Sequence, residues 1–260
     1  MYQQRNIIVL NQERQDRIRA HLAAKGRVIA AELAKEFNVS ENAVRRDLRE
    51  LARLGLCRRV YGGALAPAPD FGNIQQRATD ATEDKQKLAK RVSAHIEEGQ
   101  TIFIDASSTN IAVAAELPRS KRFTVITNAP AIAVALSDHT LCRVLVLGGI
   151  FNPIKGACLG NQTIQELKKI YVDILILGAC GVDKDLGITA LDPEEAELKR
   201  CLIEQSSRII VPVTTNKVGT AAPYKLTEAS EIDVLIVEHD LDPSVISSFS
   251  EMGIQVDVAD

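Results

Sequence analysis

Six arginines and no lysine stand in the segment SENAVRRDLRELARLGLCRRVYGG, residues 40–63, and that composition suits contact with a polyanion. Arg45, Arg49 and Arg53 recur every four residues with Arg46 beside them, so a helix would collect them on one face. Val44, Leu48, Leu51 and Gly55 would make a separate packing face. Arg58, Arg59 and Tyr61 precede a Gly62-Gly63 pair, the composition of a two-stranded wing whose guanidinium groups reach phosphates or a minor groove. A solvated face with local pairs, such as Arg46 with Glu50 or Glu50 with Arg53, is the plainer alternative, but it would mix lysine with arginine and leaves the CRRVYGG ending unexplained. A second cluster, DASSTN at 105–110, offers the hydroxyls of Ser107, Ser108 and Thr109 with free backbone N–H groups at a helix start. That chemistry is the holding of a small anion; taken alone, an ordinary capped helix explains it equally well.

The elements that must position these groups are legible in the periodicity. Ile18, Leu22 and Ala23 predict a helix over 11–25 ended by Gly26, and Ile29, Leu33 and Phe37 a second over 29–37 closed by Asn38. Ser40 then suits the N-cap of a third helix running to Gly55, with Glu41 at its positive end. Two helices joined by the short turn NVS match helix-turn-helix geometry, in which the second helix enters the major groove of double-stranded DNA N-terminus first. Ser40, Asn42, Ala43, Arg45 and Arg46 lead that entry, followed by Arg49, with Arg58, Arg59, Tyr61 and Gly62 on the wing. The stretch ALAPAPDFGN, 64–73, reads as a linker, because its prolines disfavour both helix and central strand.

Beyond the linker, short β-branched runs at 101–105, 123–127, 143–148, 172–178, 208–213, 234–238 and 254–258 predict strands. Helical stretches at 82–98, 110–117, 129–137, 161–170, 193–206 and 243–252 lie between most of them. Such alternation predicts a Rossmann-like α/β domain with a mostly parallel sheet covered on both faces, whose ligands bind beyond the carboxyl ends of the strands. Small and polar residues gather at those ends: Asp105, Thr127-Asn128, Gly148-Gly149, Gly178, Gly181, Asp183 and Lys217. Their convergence on one rim points to a small anionic ligand.

The chain has 260 residues, 46% of them hydrophobic and 25% charged, enough for a small unit and a medium one with ordinary globular cores. The formal net charge of -3 hides an asymmetry: residues 1–64 hold 13 Lys and Arg against 7 Asp and Glu, leaving the remainder acidic. Five cysteines and four histidines are scattered without metal-ligand spacing, so no metal is expected, and no GxGxxG follows a strand, so no nucleotide cofactor is. No apolar run is long enough to span a bilayer. The opening MYQQRNIIVLNQERQDR lacks the marks of a signal peptide, so the expectation is a cytoplasmic protein.

The run VSENAVRRDLRELARLGLCRRVYGGAL, with RVIAAELAKEF before it, resembles the winged helix-turn-helix of the DeoR family of bacterial transcriptional repressors over residues 14–65. Ala43 and Val44 stand where members often carry threonine and isoleucine. Residues 80–260 resemble the family's effector domain, which is similar to ribose phosphate isomerase, through Asp105, Thr127-Asn128, Gly148-Gly149, Gly181-Val182-Asp183, Glu195-Ala196, Lys199-Arg200 and Lys217 with Gly219. Ser107 replaces a usual glycine, Thr214 a usual aspartate and Asn216 a usual serine. The resemblance implies a DNA-binding domain at 1–65, a linker at 66–80 and an effector-binding, oligomerising domain at 81–260. It implies a homo-oligomer, dimer or tetramer, that represses carbohydrate genes and is released by a phosphorylated sugar or polyol held by Asp105, Ser107, Ser108, Thr109, Asn128, Gly148, Gly149, Asp183, Glu195, Lys199 and Lys217. Isomerases of the resembling fold use a carboxylate cluster and a glutamate base, where this chain has Cys180 and Lys199, so binding without turnover is expected. An active sugar phosphate isomerase or deaminase with a DNA-binding appendage is the alternative.

Overall fold

The computed structural model describes residues 11–69, 72–80 and 82–260. The start of the segment read for a signal peptide, residues 1–10, lies outside them, as do Asp70, Phe71 and Ala81. Three helices, α1 (Asn11–Lys25), α2 (Ala30–Glu36) and α3 (Glu41–Arg53), enclose Ile18, Leu22, Leu33, Phe37, Val44, Leu48 and Leu51 in one buried cluster. The breaks between them are made by residues able to turn left-handed: Gly26 has φ 70° and Asn38 φ 52°.

Strands β1 (Arg27–Ile29) and β2 (Arg58–Val60) flank β3 (Gly63–Pro67), both antiparallel and both opposite Leu65. The wing is therefore a three-stranded sheet. Its central strand enters the segment expected to be a linker without strand or helix. Pro67 is accommodated because a proline at a strand end gives up only one ladder donor. Helix α4 (Ile74–Thr79) follows in the same segment, started by a capping box in which Asn73 accepts from Gln76 N at 2.9 Å and Gln76 Oε1 accepts from Asn73 N at 3.0 Å.

The larger unit is a seven-stranded, wholly parallel sheet. Its strands are β4 (Thr101–Ile104), β5 (Phe123–Thr127), β6 (Cys142–Val146), β9 (Ile174–Ile176), β12 (Ile209–Val213), β15 (Val234–Glu238) and β16 (Gln255–Ala259). They lie in the order β16-β15-β12-β9-β4-β5-β6. Alternate strand residues point to opposite faces. Ile102, Ile104, Val125 and Ile210 pack with α5 (Thr82–Ser93), α6 (Ser108–Glu116) and α7 (Pro130–Ala135). Phe103, Leu175, Val211 and Leu235 pack with α8 (Asn161–Leu167), α9 (Pro193–Glu204) and α10 (Pro243–Ser250).

Antiparallel pieces complete the fold: the hairpin β7 (Ile150–Asn152) with β8 (Ala157–Leu159), and the sheet of β10 (Gly181–Asp183), β11 (Gly187–Ala190) and β14 (Tyr224–Thr227). A two-residue strand, β13 (Thr220–Ala221), joins the two units by pairing in parallel with Ala66 and Pro67 of β3. Ala68 N donates to Ala221 O at 3.0 Å beside it. Arg27 forms a 3.1 Å ion pair with Asp185 across the same junction. Gly26 fits there too, since a Cβ at its position would meet Gly219 O at 3.4 Å.

Candidate nucleic-acid interface and effector cleft

Ser40 is the N-cap of α3, its Oγ accepting from Ala43 N at 3.2 Å. Val44, Leu48 and Leu51 are buried on the packing face, so Asn42, Arg45, Arg46 and Arg49 are turned outward. Asp47 is buried at 1% exposure and holds the helix in place: Arg14 Nη2 of α1 donates to its Oδ1 at 3.1 Å and Arg14 Nε to Oδ2. Arg45 pairs with Glu41 at 2.6 Å and Arg53 with Glu50 at 2.7 Å. Both pairs are exposed and hold their arginines only weakly, leaving them free to exchange for phosphates. Of the two local pairs that the plainer reading expects, Glu50–Arg53 is formed, whereas Arg46 has no ion pair among the described residues.

The arginines are divided between two grooves along α3. Arg45 faces the wing in a groove with Ala30, Arg59, Tyr61 and Gly62, whereas Arg46, Arg49 and Arg53 border α1 with Asn11 and Gln15. Tyr61 is fully exposed at the tip of the β2–β3 turn, and Arg58 is half-buried below it. A helix end with outward arginines and a basic wing beside it can place side chains in a groove and guanidinium groups on the flanking phosphates.

At the carboxyl ends of the large sheet's strands, Lys199 of α9 is 1% exposed and donates to Asp105 Oδ2 at 3.0 Å, Glu195 Oε1 at 2.8 Å and Gly178 O at 2.5 Å. An ammonium has three protons, and all three are used. Burial disfavours its charge, but Asp105 and Glu195 hold its pKa above the ordinary lysine value. Burial would raise Glu195, yet Lys199, Lys155 and Arg77 keep it below the usual carboxylate range. Asp105 is raised, chiefly by burial. It also accepts from Gly178 N at 3.0 Å. Ser107 caps α6 by accepting from Asn110 N at 3.0 Å, and its Cβ lies 2.6 Å from where a side chain at Gly178 would begin, so only glycine fits there. Asn110 ties the loop down further, donating to Asp105 O at 2.8 Å and Ile176 O at 3.0 Å.

The opening beside this buried triad is basic. Ser108, Thr214, Asn216 and Lys217 line one hollow with Arg77, Asp80 and Lys85; Arg77 and Lys217 also line a second, with Lys155, Cys180, Gly72 and Leu191. Lys217 Nζ donates to Ala179 O at 3.1 Å, and burial, with the Arg77, Lys199 and Lys85 charges, lowers its pKa to about 8. Lys85 donates to the carbonyls of Arg77 and Asp80, closing the end of α4. Thr109 is buried.

Of the residues expected to hold the effector, Ser108 and Lys217 line these hollows; Asp105, Ser107, Thr109, Glu195 and Lys199 do not, nor do Asn128, Gly148, Gly149 and Asp183. Asn128 Nδ2 donates to Cys158 O at 3.1 Å, and Gly148 O accepts from Thr163 Oγ1 at 2.7 Å. Asp183 closes the β10–β11 turn, accepting from Asp185 N at 3.0 Å and Leu186 N at 3.1 Å, and borders the cleft between the two units instead.

Residues 14–69 match the family model for the DeoR-like helix-turn-helix domain, and residues 80–239 match that for the DeoR C terminal sensor domain. The chain belongs to the DeoR family. Among relatives, this DeoR-family chain is 30% identical over 250 residues to the HTH-type transcriptional regulator GolR of Listeria innocua, covering 95% of this chain and 98% of that protein. It is 30% identical over 235 residues to the glycerol-3-phosphate regulon repressor of Escherichia coli K12, covering 90% and 93%. Among solved structures, ribose 5 phosphate isomerase A from Neisseria gonorrhoeae overlaps at a TM-score of 0.41 with 16% identity, over 55% of this chain and 56% of that one. Helix α4 falls between the two DeoR matches, and with it Arg77, which sequence reasoning missed. Lys85 and Lys155 were missed as well. Their only signal was positive charge in segments with no strand-end or loop motif.

Proposed function

We propose that the protein is a sequence-specific repressor of carbohydrate uptake or catabolism genes that leaves its operator when a phosphorylated sugar or polyol binds the basic cleft at Lys217 and Ser108. The observation that carries this reading is the cleft itself: several cations surround a hollow at strand carboxyl ends, with Asp80 the one acidic residue lining the first hollow among the described residues. The likeness to the glycerol-3-phosphate regulon repressor of Escherichia coli supports the same ligand chemistry. Binding without turnover is favoured because Lys199 has no free lone pair or proton to exchange and Asp183 is engaged in a turn. A general base needs a free lone pair to take a proton from the substrate carbon, and both groups are engaged in other bonds. The cytoplasm is where such a regulator meets its DNA, and among the described residues no helix is long and apolar enough to cross a membrane.

A second copy of the chain is part of the proposal, because helix-turn-helix proteins read two half-sites as dimers. Strand β6 is an unpaired sheet edge, and Leu145, Val146, Ile150, Phe151 and Ile154 are exposed on and beside it. That edge is where the second copy fits best. Sedimentation of the purified chain at micromolar concentration should give a dimer or tetramer; a monomer would remove this element of the proposal.

Fluorescence anisotropy on DNA from upstream of the protein's own and neighbouring genes, with phosphorylated sugars titrated in, tests the whole reading. Tight binding released by one sugar phosphate supports it; failure to bind any fragment above random DNA overturns it. In the same assay Arg46→Ala should weaken the specific site by about 1–3 kcal/mol and relax its sequence preference. Equal loss on specific and random DNA would assign Arg46 to the phosphate backbone.

The affinity for a phosphate monoester should be highest between about pH 6, where the dianion forms, and about pH 8, the Lys217 value. Above that value the free protein must take up a proton to bind, so affinity falls by up to about tenfold per pH unit. Arg77, Lys85, Lys155, Lys199, Asp80 and Cys180 face this ammonium, and bound phosphate opposes the repulsion from the cations among them. Calorimetric titration across pH 6–9.5 measures the profile. In Lys217→Met the alkaline limb should flatten.

A further inference from the structure

We propose that Arg77, on the short helix α4 between the two units, is an effector-contacting residue, and that the effector's phosphate bridges Arg77 to Lys217. The inference rests on the effector reading above and adds to it the residue, the anion geometry and the route to the DNA-binding unit.

Arg77 Nε is buried without a hydrogen-bond partner. A buried donor left unpaired is unfavourable, more so on a charged group. Arg77 also has no ion pair among the described residues, although Glu195 is near enough to feel its charge. It lines both basic hollows, and the only other described residue common to the two is Lys217. Its guanidinium pushes the ammonium of Lys217 down, as like charges do. Two cations that repel across a hollow, one with an unused planar donor, are complementary to a tetrahedral dianion. A phosphate can accept from the guanidinium fork with two oxygens and present a third to the ammonium. A carboxylate offers fewer oxygens and half the charge. Ser108 at the start of α6, Thr214 and Asn216 add neutral polar groups to the lining of the first hollow, beside Lys85 and the single carboxylate of Asp80 among the described residues.

The two bridged residues flank one joint. Lys217 ends the helical turn Thr215–Lys217, three residues before Thr220, where β13 begins its pairing with Ala66 and Pro67 of β3. Arg77 lies on the other arm, on the helix that follows β3 in the chain. A phosphate held by both residues therefore draws together the segment that leaves the wing strand and the segment that pairs with it. Ligand binding thus acts on β3, whose first three residues pair with Arg58, Arg59 and Val60 of the wing.

The test uses the full chain and inorganic phosphate as probe. Arg77→Met keeps the aliphatic stem and removes the charge; Arg77→Lys keeps a charge without the fork; Lys217→Met removes the opposite cation. Wild type should gain thermal stability with phosphate, and hydrogen exchange at residues 63–68 should slow. In Arg77→Met the phosphate dissociation constant should rise about tenfold or more, the exchange response at 63–68 should vanish, and ligand-free operator affinity should stay at the wild-type level. Arg77→Lys should fall between. If Lys217→Met loses phosphate binding while Arg77→Met retains it with an unchanged exchange response, Arg77 is no ligand and the inference fails although the effector reading stands. If phosphate binds neither wild type nor variants, or binds all with equal affinity, the effector reading itself falls and the inference with it. Arg77→Met that binds normally but no longer transmits to 63–68 would also overturn the bridge, leaving Arg77 a coupling residue without ligand contact.

Discussion

Lys199→Met should destabilise the sensor unit by about 3–5 kcal/mol, read as a shift of the denaturant midpoint at neutral pH. The lysine is the shared partner of two carboxylates, and removing it leaves Asp105 and Glu195 facing each other in a site nearly closed to water. The pH dependence distinguishes this cause from a packing defect. Without the ammonium, burial and mutual repulsion raise both folded-state pKa values above their unfolded values. Groups shifted that way favour the folded state while protonated and lose that contribution as pH rises through the folded values. The deficit of the variant should therefore narrow as pH falls towards 5 and widen above it. A deficit constant from pH 5 to 8 would mean that lost packing, not charge, carries the effect.

Asp47→Ala is the corresponding expectation for the small unit, with a loss of about 3–5 kcal/mol and a helix-turn-helix that unfolds first. Asp47 ties α3 to Arg14 of α1 while the arginines on either side of it point outward. Its removal takes both carboxylate bonds from the buried guanidinium of Arg14, to which Asn11 Oδ1 at 3.1 Å offers only a neutral acceptor. Circular dichroism melting should split into two transitions, and operator binding should disappear at a temperature where phosphate binding survives. Asp47→Ala combined with Arg14→Met should recover part of the loss, because replacing both partners by apolar groups removes the uncompensated charge. Failure of the double variant to recover would point to the backbone of α3 rather than to the ion pair.

All seven strands of the large sheet were legible in the sequence because each is a short run rich in β-branched residues; the five inner strands are buried on both faces, while the edge strands β6 and β16 keep exposed positions. The recognition helix was legible for a different reason: Val44, Leu48 and Leu51 keep helical spacing against a background of charge. What escaped was short or decided at a distance. The strands of the antiparallel sheet are three or four residues long, too few for a period of two to be read. Helix α4 buries only Ile74, so it has no apolar stripe, and its start is written in the Asn73–Gln76 capping box alone. The fate of Lys199 could not be read locally, since its partner Asp105 is 94 positions away and brought near only by the sheet. Asp183 drew notice for the company it keeps in sequence, but the β10–β11 turn uses its carboxylate at home.

The pairing of β13 with the end of β3 sets a rule for exchanging DNA-binding units between relatives. A chimera cut at residue 65, the boundary that the family resemblance implies, would join a foreign strand to Ala66 and Pro67 in a register chosen by the recipient's Thr220 and Ala221. A one-residue slip there turns every side chain of the strand to its other face. Specificity and sensing can be recombined only if the graft carries residues 63–67 whole, together with the two-residue strand that receives them.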